Sequence, residues 1–124
     1  MNNRENLFIQ TLDNKFRMIS RDELLNKVQK EDLIKPVILD FRGKSAFEKS
    51  HIKNSINLDI KDLHNRLYKF SKSSEIVAVC NGSIQSGYAI FYLYMNGFEK
   101  VYNLSGGYSG CEKNNFPLLE ISQN

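Results

Sequence analysis

The sequence predicts an α/β domain in which a central, mostly parallel sheet carries helices on both faces. Three observations lead there. Residues 36–40 and 75–80 hold continuous apolar runs, Val37-Ile38-Leu39 and Ile76-Val77-Ala78-Val79. Strands covered on both faces read this way, whereas half-exposed strands alternate. Segments of helical length and patterning separate the strand-like runs, which is the arrangement of parallel α/β sheets. The length of 124 residues, with 41% hydrophobic and 25% charged side chains, suits one ordinary core that needs no covalent staples.

Taken in order, residues 1–14 are polar and weakly patterned, so 1–15 is expected to be a loose or partly helical extension. The domain should span 16–118, and 119–124 should form a short C-terminal tail. Residues 16–19 read as a short strand. Ser20 and Glu23 stand at capping-box spacing, where each side chain satisfies the other's free backbone N–H. The helix they open should run to about Lys30, with Leu24, Leu25 and Val28 inward. Residues 36–40 supply the first covered strand. A helix should start near Ser45, a strand should cover 55–58, and a further helix should span about 61–70. Residues 75–80 supply the second covered strand, and helix 86–95 follows at once. Gly97 serves as its stop, and 101–104 forms the last strand.

Charge and cysteine content narrow the function classes. Seventeen Lys+Arg against fourteen Asp+Glu give a net charge of +3, far from the concentrated basic stripe of a nucleic-acid binder. Two cysteines, Cys80 and Cys111, are too few for a disulfide framework and fit a reducing compartment. Two cysteines and two scattered histidines form no zinc spacing, and neither GxxxxGK nor GxGxxG occurs, so no metal or nucleotide cofactor is expected. The first ten residues hold no apolar run of signal-peptide length, and no stretch reaches the ~20 apolar residues of a membrane span. The expectation is a soluble, cytoplasmic protein that engages neither nucleic acid nor membrane.

Ligands of a parallel sheet bind beyond the C-terminal strand ends, and Cys80 closes an apolar strand there. Asn81, Gly82, Ser83, Ile84, Gln85 and Ser86 separate it from the next helix. A short loop running into a helix start aims backbone N–H groups inward, and the helix dipole adds positive charge. Such surroundings favour a thiolate or a bound anion, which makes Cys80 the candidate nucleophile. The competing reading is a small buried side chain, a common fate of free cysteine.

These residues sit within a wider pattern that resembles the rhodanese-like family of sulfurtransferases, across about residues 16–118. Ile19-Ser20 and Glu23-Leu24 resemble its opening "IS-x-x-EL", and Val37-Ile-Leu-Asp-Phe-Arg42 its "DVR" strand end. Glu48 with His51-Ile-Lys-Asn-Ser-Ile-Asn57 is similar to "E…GHI-x-GA-x-N", with Ser50 and Ser55 where glycines are usual. The segment from Cys80 to Ser86 has the length of the family's active loop. Gly97-Phe-Glu-Lys-Val-Tyr-Asn-Leu-Ser-Gly-Gly107 is close to "GF-x-x-V-x-x-L-x-GG", and Phe116-Pro117 to its closing "x-P". One departure bears on chemistry. The usual loop resembles C-R-S-G-x-R-S, whereas Asn81 and Gln85 stand here where arginines are frequent, and Gly82-Ser83 inverts the usual Ser-Gly pair. From Ile76 to Cys111 the only charged residues are Glu99 and Lys100.

The resemblance implies a rhodanese fold and sulfur transfer through a Cys80 persulfide, with no cofactor. The donor would be a small sulfur compound such as thiosulfate, and the acceptor a thiol or, in an assay, cyanide. Loop residues Asn81 to Ser86, and Arg42 beside them, would hold the donor. It also implies an Arg42–Glu48 ion pair, a structural His51 and a packing role for Cys111 in the last helix, with a resolving cysteine as the minor alternative. His64 reads as a surface residue. A phosphatase of related fold would need a longer loop with an arginine to grip phosphate. The stronger alternative is a non-catalytic or sulfur-carrying interaction module. Tyr88, Phe91, Tyr92 and Met95 recur at three- and four-residue spacing, while Ala89, Ile90 and Leu93 form the inward stripe. The aromatic set is open to two readings: burial beneath the N-terminal extension, or a homodimer or protein-partner surface.

Overall fold

The polypeptide, a computed structural model describing residues 2–6, 17–31 and 34–123, alternates strand and helix as the apolar runs require. The elements are Met18–Ile19 (β1), Arg21–Gln29 (α1), Val37–Asp40 (β2), Lys44–Lys49 (α2), Ser50–Ile52 (β3) and Ile56–Asn57 (β4). Then come Leu63–Arg66 (α3), Ile76–Val79 (β5), Ile84–Met95 (α4), Val101–Leu104 (β6), Gly107–Lys113 (α5) and Leu119–Ile121 (β7). Five strands form a parallel sheet in the order β1-β6-β5-β2-β4. Phe16, the expected first residue of β1, lies outside the described residues, as do residues 7–15 of the extension.

The central strand β5 is buried along its whole length, and its period-two alternation divides the core. Ile76 and Ala78 face the side closed by Ala89, Ile90 and Leu93 of α4 and by Leu63 and Phe98. Val77 and Val79 face the other side, against Leu24 of α1 and Tyr108 and Cys111 of α5. Helix α1 opens on the capping box: Glu23 N–H donates to Ser20 Oγ at 3.1 Å and Ser20 N–H to Glu23 Oε1 at 3.2 Å. Beyond α4, Gly97 adopts φ +94°, a left-handed turn that side-chain-bearing residues resist. Among the described residues no helix is long and apolar enough to cross a membrane.

Two segments depart from expectation. The stretch 61–70 is not one helix but a 3₁₀ turn (Ile60–Asp62), the single turn α3 and a second 3₁₀ turn (Leu67–Lys69). Leu63 alone of α3 is buried, so little packing holds a regular ladder together. The domain also reaches past residue 118. In an antiparallel ribbon, β7 pairs with β3 in the register Ser50↔Ile121, His51↔Glu120 and Ile52↔Leu119. Lys53 N–H to Leu118 O (2.7 Å) and Ser122 N–H to Lys49 O (2.8 Å) extend it.

Candidate active site

Cys80 directly follows β5, and α4 begins four residues later. The alternation that turns Ile76 and Ala78 toward α4 carries Cys80 to the same side. Its side chain is buried, while Asn81 to Gln85 above it are exposed. The first turn of α4 brings Ser86 to the sulfur. Ser86 N–H donates to Sγ at 3.4 Å, and Ser86 Oγ lies 3.2 Å from Sγ. Ser86 supplies the only hydrogen bonds to this sulfur among the described residues; Asn81 to Gln85 form the exposed rim.

A buried amide stands behind Ser86. Asn103 of β6 accepts from Ser86 Oγ at 2.6 Å through Oδ1 and donates from Nδ2 to Ser83 O at 3.0 Å. Residue 103 falls on the α4 side of the sheet, in register with Ala78, a small side chain that leaves it room. This residue carried no role in the sequence reading. Its one signal was an amide inside an otherwise apolar strand.

The loop is gripped from its other side by α5. Tyr108 N–H donates to Cys80 O at 2.8 Å, and Ser109 N–H to Asn81 O at 3.0 Å. Such contact requires glycine at 107, which sits at φ +59°. A Cβ there would lie 2.6 Å from Asn81 O, 2.7 Å from Cys80 O and closer still to Gly82 O.

Arg42 is beside the loop, lining with Gly43, Ala46, Asn81 and Gln85 a cleft of about 220 Å³. The expected Arg42–Glu48 pair does not form. Two residues apart at the end of β2, Arg42 and Asp40 meet directly: Nε is 3.1 Å from both carboxylate oxygens, and Nη2 is 2.9 Å from Oδ2. Nη2 also donates to Ser50 O at 2.7 Å, and the guanidinium lies 3.5 Å from the centre of the Tyr108 ring. Glu48 points outward, 3.8 Å from Lys44 on an exposed helix face. Asn57, unassigned from sequence, clamps this strand end by donating to Asp40 O (3.0 Å) and Arg42 O (2.8 Å).

The remaining candidates lie away from the sulfur. His51 Nδ1 bonds to Phe47 O at 2.8 Å, and the two rings stack at 4.1 Å. His64 is exposed. Cys111 is fully buried in the core beneath α1, and burial pushes its thiol up to about 11. Ala89, Ile90 and Leu93 are buried, while Tyr88 and Tyr92 are exposed. With Phe91, Met95, Ile60 and Leu63 these tyrosines line an apolar groove.

A family model for the rhodanese-like domain matches residues 20–114. The chain is 31% identical over 109 residues to a thiosulfate sulfurtransferase GlpE of Coxiella burnetii, covering 88% of this chain and 98% of that one. It is 30% identical over 95 residues to a tRNA uridine(34) hydroxylase of Buchnera aphidicola, covering 68% of this chain and 29% of that protein. A solved rhodanese-like domain protein of Staphylococcus aureus superposes with a TM-score of 0.71 at 26% identity, over 86% of this chain and 99% of that one.

Proposed function

The chain belongs to the rhodanese-like domain family, and from that premise we propose that it is a sulfurtransferase carrying sulfane sulfur on Cys80. The observation that supports this most is the seat of Cys80, at the C-terminal end of a central strand, with the Ser86 backbone N–H directed at its sulfur. Loss of the thiol proton leaves a thiolate that attacks the outer sulfur of a donor such as thiosulfate. A new S–S bond forms to Sγ, the donor's own S–S bond breaks, and sulfite departs with that electron pair. A thiol acceptor, or cyanide, then takes the outer sulfur and returns the Cys80 thiolate. This is covalent catalysis by a nucleophile that needs no metal or organic cofactor. The cleft between Arg42 and the loop rim is where the donor would enter.

Intact mass after incubation with thiosulfate tests the reading. One added sulfur is expected on the wild-type protein and on Cys111→Ala, and none on Cys80→Ala. A sulfur added to Cys80→Ala would sink the assignment. One observation favours a second reading, a non-catalytic interaction module: the loop is uncharged and the Arg42 guanidinium is already matched by Asp40. A wild-type protein that gains no sulfur from thiosulfate or from an organic persulfide would favour that module.

A further inference from the structure

Resting on the sulfurtransferase reading, we infer that Asn103 is a positioning residue that sets the direction of the Ser86 hydroxyl proton, and through it the readiness of Cys80 to become a thiolate. The orientation of the amide follows from its neighbours. Ser83 O can only accept, so the group facing it at 3.0 Å is Nδ2, and Oδ1 faces Ser86. Oδ1 can only accept as well, so Ser86 commits its single hydroxyl proton to Asn103 at 2.6 Å. What Ser86 Oγ turns toward Sγ, 3.2 Å away, is therefore a lone pair.

That arrangement matches a protonated Cys80, whose S–H donates to Ser86 Oγ. It opposes a thiolate, because two electron-rich atoms would then face each other. On ionisation the Ser86 hydroxyl must turn its proton from Asn103 Oδ1 to Sγ. Asn103 is only 3% exposed, so no bulk water replaces the donor that Oδ1 loses. The amide thus holds the hydroxyl in the orientation that suits the thiol, and each turnover swings it across. Its second hydrogen bond fixes the loop carbonyl of Ser83, so one side chain governs both the loop's shape and the hydroxyl's direction.

The test is the alkylation rate of Cys80 by iodoacetamide at neutral pH, with the labelled peptide mapped so that Cys111 does not contribute. Thiolate absorbance near 240 nm is read in parallel. Asn103→Leu keeps the branched outline of the side chain, though with bulkier ends, and removes the acceptor, freeing the Ser86 proton for Sγ. The rate should rise roughly tenfold, the worth of one hydrogen bond to a charged group, and the absorbance should rise with it. In a Ser86→Ala background the same change should have no such effect. Asn103→Asp, close in shape and therefore a second route if leucine prevents folding, keeps an acceptor toward Ser86 and should slow alkylation. Both variants lose the bond to Ser83 O, so mere loosening of the loop would speed both. An unchanged rate in folded Asn103→Leu, a gain that survives in Ser86→Ala, or faster alkylation of Asn103→Asp would overturn the inference. Alkylation needs no sulfur donor, so failure of thiosulfate to load the wild-type protein would count against sulfur transfer and leave this result standing.

Discussion

Replacing Gly107 by alanine should damage both stability and the sulfur site. Two costs can be worked from the structure. The residue holds φ +59°, a conformation that costs a side-chain-bearing residue about 1–2 kcal/mol. The added Cβ would also fall 2.6 and 2.7 Å from the carbonyl oxygens of Asn81 and Cys80, and nearer still to that of Gly82. All three are backbone atoms, so no side chain can swing aside. Restoring ordinary contact with the nearest of them, Gly82 O, requires α5 and the loop to part by well over an ångström. That separation stretches Tyr108 N–H to Cys80 O and Ser109 N–H to Asn81 O, each worth about 1 kcal/mol.

Together the costs come to about 3–4 kcal/mol, which in a chain of this size lowers Tm by roughly 10–20 °C. Thermal unfolding by circular dichroism measures it, with Gly43→Ala as the control, because a Cβ at residue 43 would meet nothing within 4 Å. Sulfur loading, measured well below the variant's Tm, should fall at least tenfold, since the carbonyl that moves belongs to Cys80 itself. A Gly107→Ala protein melting within 2 °C of wild type would refute the reasoning that α5 and the loop are in obligatory backbone contact.

Asp40→Asn should cost about 3–5 kcal/mol in denaturant unfolding, because it leaves the buried Arg42 guanidinium without its counter-charge; a cost under 1 kcal/mol would mean that Ser50 O and Tyr108 suffice. The Cys111 thiol, held at about 11 against an ordinary 9.0, adds stability that is complete below pH 9 and is lost as pH rises toward 11. The stability difference between wild type and Cys111→Ala should therefore shift by about 2–3 kcal/mol against wild type across that window, and a constant difference would refute burial as the cause. Gln85→Arg places a cation on the rim of the Arg42 cleft and should raise kcat/KM for thiosulfate by roughly tenfold, with little change for an uncharged persulfide donor. No gain in a folded variant would mean that the donor does not approach along that rim.

What could be read from the sequence follows from how local each determinant is. The runs Val37-Ile38-Leu39 and Ile76-Val77-Ala78-Val79 became β2 and β5 because a strand covered on both faces needs apolar residues at every position. Ser20 and Glu23 announced α1 because a capping box is complete within four residues. The placement of Cys80 between strand and helix was legible for the same reason: strand end, loop and helix start are contiguous in the chain. The ribbon of β3 and β7 was not. Each strand is three residues long, Ile52 is the one buried residue in the pair, and the partners lie about seventy positions apart. Arg42 shows the limit of motif reasoning, since the carboxylate two residues away on the same strand end outcompetes Glu48, which α2 turns toward solvent.

Asn103 marks a different limit. Between Tyr102 and Leu104 its amide conflicts with an apolar strand, and such a local conflict commonly points to a site. Yet its meaning depends on atoms that only the fold assembles. Ser83 O fixes the amide's orientation, the amide fixes the Ser86 proton, and that proton decides what the sulfur meets. Residues 83 and 86 belong to the loop and first turn of α4, while 103 arrives on the neighbouring strand after a helix has crossed over the sheet. A parallel sheet enforces that meeting, because adjacent strands end on the same edge and deliver their last side chains to one place. The proposed nucleophile can thus be picked out from its own segment, whereas its proposed control requires knowing which strand lies next to it.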